Sequence, residues 1–142
     1  MVQKLEVIRF VKLRFRHNGL TDGYVPWDRG FDEACMVELY RYWDNEAICN
    51  ARTTPTAGWV TERIADWAID FIRRNRDESF LVMVPFMTPH LGTTDATQSE
   101  YWHAPFEHAE KYLNKGLSDQ LSRLYGMIEF MDDNIGRVLE AD

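Results

Sequence analysis

The segment Phe80–His90 reads FLVMVPFMTPH, and it decides the fold class of the chain. Its first eight residues are apolar and follow a polar break at residues 76–79, which predicts a strand buried on both faces of a parallel sheet. Pro85 is expected near the end of this strand, because proline cannot donate a ladder hydrogen bond. Residues 59–75 carry apolar side chains on one helical face, and a helix followed by a buried strand is half of an α/β unit.

The rest of the chain contains weaker patterns. Residues 7–16 alternate partly, which predicts a half-exposed strand, whereas residues 18–58 and 88–117 are rich in turn formers and are expected to be irregular. Ser118 or Asp119 can cap a second long helix. The apolar stripe predicted to bury this helix consists of Leu121, Leu124, Ile128, Met131, Ile135 and Val138.

Composition sets limits on the class of protein. The 142 residues are 45% hydrophobic and 13% aromatic, which is enough for a packed core. Net charge is −7, and residues 1–16 are locally +4, so the remainder is −11 and disfavours a nucleic-acid partner. Without an apolar run near the roughly 18 residues of a membrane span, no membrane partner is expected. The two cysteines form no C-x-x-C motif and do not fix a redox compartment.

Two histidines are candidate site residues. His90 follows the predicted strand, and the carboxyl ends of strands in an open α/β sheet are where ligand sites gather. His17 precedes a turn and lies near Arg14 and Arg16, so it could help to hold an anion. In both cases the alternative is a histidine whose nitrogens are satisfied by loop carbonyls.

Other candidates favour structural interpretations. His103 and His108 are five residues apart, which is not a same-face helical pair, so a zinc site is not expected. Consecutive residues 132–134 (Asp-Asp-Asn) point in different directions on a helix and cannot all bind one ion, so Asp133 is predicted to pair with Arg137. The aromatic residues Tyr40, Tyr42 and Trp43 suit either a sugar-stacking surface or packing under a long loop, and packing is favoured.

Six motifs occur in a fixed order, and the order is more informative than any one of them. They are His17-Asn18-Gly19, Arg29-Gly30-Phe31-Asp32-Glu33, Tyr42-Trp43-Asp44-Asn45, Gly58-Trp59-Val60-Thr61-Glu62, Thr88-Pro89-His90 and Asp132-Asp133-Asn134-Ile135-Gly136-Arg137. This series resembles the type I sulfatases, the arylsulfatase branch of the alkaline-phosphatase-like hydrolases. The resemblance implies an incomplete part of their three-layer α/β fold, with residues 17–142 as a partial sulfatase domain and residues 1–16 as a divergent basic segment.

The resemblance also implies a chemistry. Sulfatases hydrolyse sulfate esters with a formylglycine, made from the cysteine of a C-x-P-S-R motif, beside a divalent metal that is usually calcium. Carried over, His90 would contact the sulfate and His17 would support the formylglycine, both approaching one anion pocket. The implied partner is a sulfated small molecule or glycan. The compartment is left open, although family members are commonly periplasmic, secreted or lysosomal.

The chain departs from the family pattern at the catalytic centre. It contains no C-x-P-S-R motif, and Phe15 and Arg16 replace the lysine and tryptophan that normally precede the histidine of the first motif. No expected metal ligand is present. The chain alone is therefore expected to be inactive and to self-associate through the exposed edge of the Phe80–Phe86 strand. Two alternatives stay open, a non-catalytic binding module on this fold and a phosphoesterase relative. A nucleic-acid binder that uses the basic residues 1–16 is a more distant third.

Overall fold

A computed structural model of the chain describes residues 25–38, 40–93 and 100–141. The predicted strand at residues 7–16, the boundary after residue 16 and His17 lie outside the described residues and stay predictions. The elements are a 3-10 helix (Pro26–Arg29), β1 (Cys35–Val37), β2 (Glu46–Cys49), β3 (Arg52–Pro55), α1 (Val60–Asn75), β4 (Gly92–Thr93), β5 (Glu100–Tyr101), α2 (Phe106–Leu113) and α3 (Asp119–Leu139).

A three-stranded antiparallel sheet, in the order β1-β2-β3, occupies a region predicted to be irregular. Strands β2 and β3 are joined by Asn50 and Ala51, both with positive φ (49° and 63°), as a two-residue type I′ hairpin requires. Cys35 on β1 faces Cys49 on β2, and the two form a disulfide. The prediction was wrong because strands of three or four residues are too short to show a periodic pattern.

Helix α1 confirms the amphipathic helix predicted from the spacing of apolar residues. Val60, Ile64, Ala68 and Phe71 lie fully buried along one face. Val60, Ile64 and Phe71 belong to one core cluster with Val37 and Ala47 of the sheet, Ala109 of α2 and Met127 of α3. The hydrophobic core therefore combines residues of α1, the sheet and the other two helices, and α1 packs directly on α3.

Residues 80–87 differ from the predicted strand that is buried on both faces. Only Met83 is a bridge residue, Leu81 and Met83 are 43% and 44% exposed, and just Met87 of the run is fully buried. The described part of the chain offers this run no neighbouring strand on which both faces could be buried. Residues 80–87 form no regular strand apart from the bridge at Met83, so the predicted strand and its burial on both faces are wrong for the described residues.

Helix α3 begins after Ser118, whose hydroxyl accepts a hydrogen bond from the Leu121 amide at 3.4 Å, as predicted for its cap. Its buried face differs from the predicted stripe and consists of Ser122, Gly126, Met127, Phe130 and Asn134. The stripe residues are instead half-buried or, at Leu121 and Ile128, exposed. The physical reason is α2, a helix missed in the segment predicted to be irregular, which packs closely on the small residues of α3.

Gly126 is the point of closest approach between α2 and α3. A Cβ atom there would lie 2.9 Å from the Ala109 amide nitrogen and 3.0 Å from its Cα, whereas nothing lies within 4 Å of a Cβ built on Gly136. We expect Gly126→Ala to lower the free energy of unfolding by about 1–3 kcal/mol, because the α2 backbone must move. Gly136→Ala on the same helix should raise it by about 0.5–1 kcal/mol through helix propensity. Urea unfolding measures both, and equal effects would contradict the close packing.

None of the helices in the described ranges is long and apolar enough to cross a membrane.

Candidate functional site

His90 lies exposed in the turn that follows the apolar segment 80–87. Its amide donates to the Met87 carbonyl at 3.0 Å, which closes the turn. Its ring nitrogen Nδ1 lies 2.8 Å from the Leu91 carbonyl oxygen, and because a carbonyl can only accept, Nδ1 carries a proton. Nε2 makes no hydrogen bond to any described residue. The imidazole therefore presents Nε2 outward, as an acceptor when neutral and as a donor when protonated.

Two tyrosines hold this turn from the segment before β2. The Tyr42 hydroxyl donates to the His90 carbonyl at 2.6 Å and lies 3.3 Å from the Met87 carbonyl. The Tyr40 ring meets the His90 imidazole edge to face, with centroids 5.0 Å apart. Packing was the favoured interpretation of these aromatic residues, and it is confirmed for Tyr42, which is 3% exposed. Trp43 differs, since it is 52% exposed and has its edge against Trp59.

The contacts of Tyr42 are the part of the site that sequence reasoning missed. Tyr42 and His90 are 48 residues apart, and no spacing pattern links them. His17, the other predicted site residue, lies outside the described residues, so its approach to His90 stays a prediction.

His103 and His108 have separate environments. The His103 ring stacks on Tyr42, with centroids 5.8 Å apart, and burial, assisted by the nearby charge of Arg123, lowers the pKa of its imidazole. His108 Nε2 lies 3.0 Å from Asp133 Oδ2, and its ring packs on Phe130. His103 therefore supports the Tyr42 side of the site, whereas His108 joins α2 to α3.

The Asp-Asp-Asn-Ile-Gly-Arg motif of α3 has a structural role. The predicted pair between Asp133 and Arg137 is wrong, because Asp133 pairs with His108 and Arg137 pairs with Asp66 of α1. Asn134 is buried, donates to the Phe130 carbonyl at 2.7 Å and accepts from Arg137 at 2.7 Å. The motif therefore joins α3 to both α1 and α2.

The Arg-Gly-Phe-Asp-Glu motif likewise contributes to the packing of α1. Gly30 has φ 86°, a left-handed conformation that ends the 3-10 helix and favours glycine. Glu33 binds Arg74 of α1 through two hydrogen bonds of 3.0 and 2.8 Å, and Asp70 binds the same guanidinium. The hydrogen bonds to Glu33 and then Asp70 raise the pKa of Arg74. Through the contact between Glu33 and Arg74, this motif therefore joins α1 to the segment directly before β1 of the disulfide-linked sheet.

The described residues do not fit a calcium ion. Among them, no group of three or more histidine, cysteine or acidic side chains is arranged to hold a metal. The cleft between α1 and α3 is lined by charges of both signs, including Asp66 and Arg137, which already pair with each other. His90 does not line that cleft.

Comparisons with known proteins identify one family. The family model described as Sulfatase matches residues 11–141. The crystal structure of Ps i-CgsB matches with a TM-score of 0.79 and 18% identity, over 96% of this chain and 34% of that one. Ps i-CgsB in complex with k-i-k-neocarrahexaose matches with a TM-score of 0.76 and 19% identity, over 94% of this chain and 33% of that one.

A third structure has the same fold. BT4656, solved in complex with its substrate D-glucosamine-2-N,6-O-disulfate, matches with a TM-score of 0.62 and 14% identity, over 94% of this chain and 44% of that one. The comparison with curated protein sequences gave no match. The chain spans about a third of the length of Ps i-CgsB, and over that span the predicted α/β fold of the alkaline-phosphatase-like class is confirmed.

Proposed function

Because the chain belongs to the sulfatase family, we propose that it is a segment of a sulfate-ester hydrolase and that His90 contacts the sulfate group of the substrate. The observation that carries the proposal is the orientation of the His90 imidazole. Its Nδ1 proton is directed to the Leu91 carbonyl at 2.8 Å, which leaves Nε2 for a ligand. This contact orients the exposed ring before an anion binds, and a donor that is already oriented stabilises negative charge without having to reorganise.

The chemistry of this contact follows from charge. A sulfate monoester carries one negative charge on its oxygens, and a protonated imidazole can neutralise it with a charge-assisted hydrogen bond. In a full-length enzyme the same Nε2–H could donate its proton to the oxygen of the departing alcohol when a nucleophile displaces that oxygen from sulfur. The family's formylglycine would supply that nucleophile. His17 is proposed to support that nucleophile.

A sulfated glycan or a small sulfate ester is the proposed substrate class. Two structures of the same fold were solved with sugars, Ps i-CgsB with a neocarrahexaose and BT4656 with a disulfated glucosamine. Trp43, three residues after Tyr40, is exposed, and its aromatic ring suits stacking against a sugar ring.

Self-association through the exposed residues Leu81 and Met83 is also proposed, and sedimentation velocity would show it as a weight-average mass that rises with concentration.

Without a nucleophile motif the chain should bind a sulfate ester and not turn it over. We expect hydrolysis of a chromogenic aryl sulfate by the purified chain, with calcium added, to equal the buffer rate. Equilibrium binding of the same aryl sulfate should be detectable and should weaken about tenfold in His90→Ala, the loss of one charge-assisted hydrogen bond. His108→Ala is the matched control, because that imidazole is engaged by Asp133.

Two results separate the proposal from its alternatives. Equal affinity for the aryl sulfate in the unmodified chain and in His90→Ala would contradict the contact between His90 and sulfate and would favour a non-catalytic interaction module. Tighter binding of the corresponding aryl phosphate than of the aryl sulfate would favour a phosphoesterase relative. Turnover that disappears in His90→Ala would contradict the expected inactivity.

A further inference from the structure

We infer that Tyr40 and Tyr42 are positioning residues that fix the orientation of the His90 imidazole, an inference that rests on the proposed contact between His90 and sulfate. Neither tyrosine is assigned a role in binding the substrate. Each acts on a different part of His90, Tyr42 on its backbone and Tyr40 on its ring.

Tyr42 fixes the backbone of the turn. Its side chain is 3% exposed, and its hydroxyl reaches across the core to the carbonyls of His90 and Met87, the residues at the two ends of the turn. Burial raises the pKa of the Tyr42 phenol, so the hydroxyl stays protonated and remains a donor. A buried donor of this kind is costly to leave unpaired, and the turn is therefore held where the hydroxyl can reach it.

Tyr40 has a strained backbone that places its ring against His90. Its φ is 71°, a left-handed conformation that a bulky residue other than glycine rarely adopts. Such strain persists only where the surrounding structure imposes it, and it concentrates at functional sites. Here the strained residue places the centroid of its ring 5.0 Å from the centroid of the imidazole.

Gly92 lets the two segments approach closely enough for these contacts. A Cβ on Gly92 would lie 2.8 Å from the Tyr40 carbonyl oxygen, 2.8 Å from Tyr42 Cδ2 and 2.7 Å from His103 Cδ2. His103 in turn stacks on the Tyr42 ring. The segment directly after His90 is thus packed against Tyr40, Tyr42 and His103, which limits how far the turn can move away from the two tyrosines.

The test compares tyrosine variants of the full chain by amide hydrogen exchange and by the NMR signals of the His90 imidazole. Tyr42→Phe removes only the hydroxyl, and we expect exchange of the His90 amide to accelerate about 5- to 10-fold, the effect of one hydrogen bond. Tyr112→Phe is the matched control, because that tyrosine lies on α2 and packs on Tyr125, and it should leave His90 unchanged.

Variants of Tyr40 separate positioning from stability. Glycine adopts the positive φ of residue 40 without strain, so the melting temperature of Tyr40→Gly should stay the same or rise. The dissociation constant of inorganic sulfate at His90 should nevertheless increase about 5-fold, because the ring contact is lost. Tyr40→Phe keeps the ring and should bind sulfate as the unmodified chain does.

The outcomes distinguish this inference from the proposed function. If the NMR signal of the His90 imidazole in the unmodified chain does not shift when sulfate is added, the proposed sulfate contact is wrong, and the positioning role of the tyrosines is overturned with it. If His90 responds, but the variants Tyr42→Phe and Tyr40→Gly leave both the exchange rate and the sulfate affinity unchanged, the positioning role alone is overturned. Faster exchange in Tyr42→Phe together with weaker sulfate binding in Tyr40→Gly supports both.

Discussion

Replacing Phe71 with alanine is expected to lower the free energy of unfolding by about 3–5 kcal/mol, which approaches the whole stability of a small domain. Phe71 is 0% exposed and belongs to the core cluster that also contains residues of the sheet and of α3. Its ring also packs edge to face on Phe80, with centroids 5.8 Å apart, so the cavity would open beside the segment that leads to His90. Chemical denaturation followed by circular dichroism measures the change.

A matched control comes from the end of α3. Leu139 is 77% exposed, so Leu139→Ala should change stability by no more than about 0.5 kcal/mol. Similar costs for the two variants would mean that the chain does not form the core described around α1.

Removing the disulfide is the second change with a large expected effect. Cys35 and Cys49 enclose a segment with a sequence separation of 14, and closing a loop of about 15 residues stabilises a fold by about 3 kcal/mol in the chain-entropy account. The double variant Cys35→Ser, Cys49→Ser should therefore lose about 2–3 kcal/mol of unfolding free energy. The bond joins β1 to β2, and Asn50 next to it binds the Ala34 amide, so the sheet edge should loosen first.

The disulfide prediction has an internal control. The unmodified chain treated with a reductant should match the double serine variant in its denaturation midpoint, and the reductant should not change the double variant. A free-thiol assay that finds both cysteines reactive in the oxidised, folded chain would contradict the bond. Disulfides are stable under oxidising conditions, so the assay is made on protein purified without a reductant.

The two long helices could be predicted because periodicity is a local property. Helices α1 and α3 span 16 and 21 residues, long enough for apolar spacing and the Ser118 cap to identify them. The buried face of α3 could not be predicted from hydrophobicity, because Ser122 and Gly126 are buried for their small size and Asn134 for its hydrogen bonds. The distance between two packed helices depends on the side chains of both, so the sequence of one helix does not predict which of its residues are buried by close packing.

The candidate site was only partly predictable for a similar reason. His90 was identified by its position after an apolar run, and the family resemblance gave it a role. The contacts that orient it come from Tyr40 and Tyr42 in a segment that looked irregular, and Asp133 pairs with His108, 25 residues away, rather than with the nearer Arg137. Pairing partners distant in sequence depend on tertiary packing, which spacing alone does not encode.

Titration of the chain with inorganic sulfate, followed by NMR at the ring Cε1–H signals of its histidines, tests the central claim most directly. Potassium chloride at matched ionic strength serves as the control, because screening alone moves exposed charges. The account predicts a saturable shift of the His90 signal, with the signals of His103 and His108 unchanged, since those rings pack on Tyr42 and pair with Asp133. A His90 signal that moves no more in sulfate than in chloride would contradict the claim that this turn retains a sulfate contact.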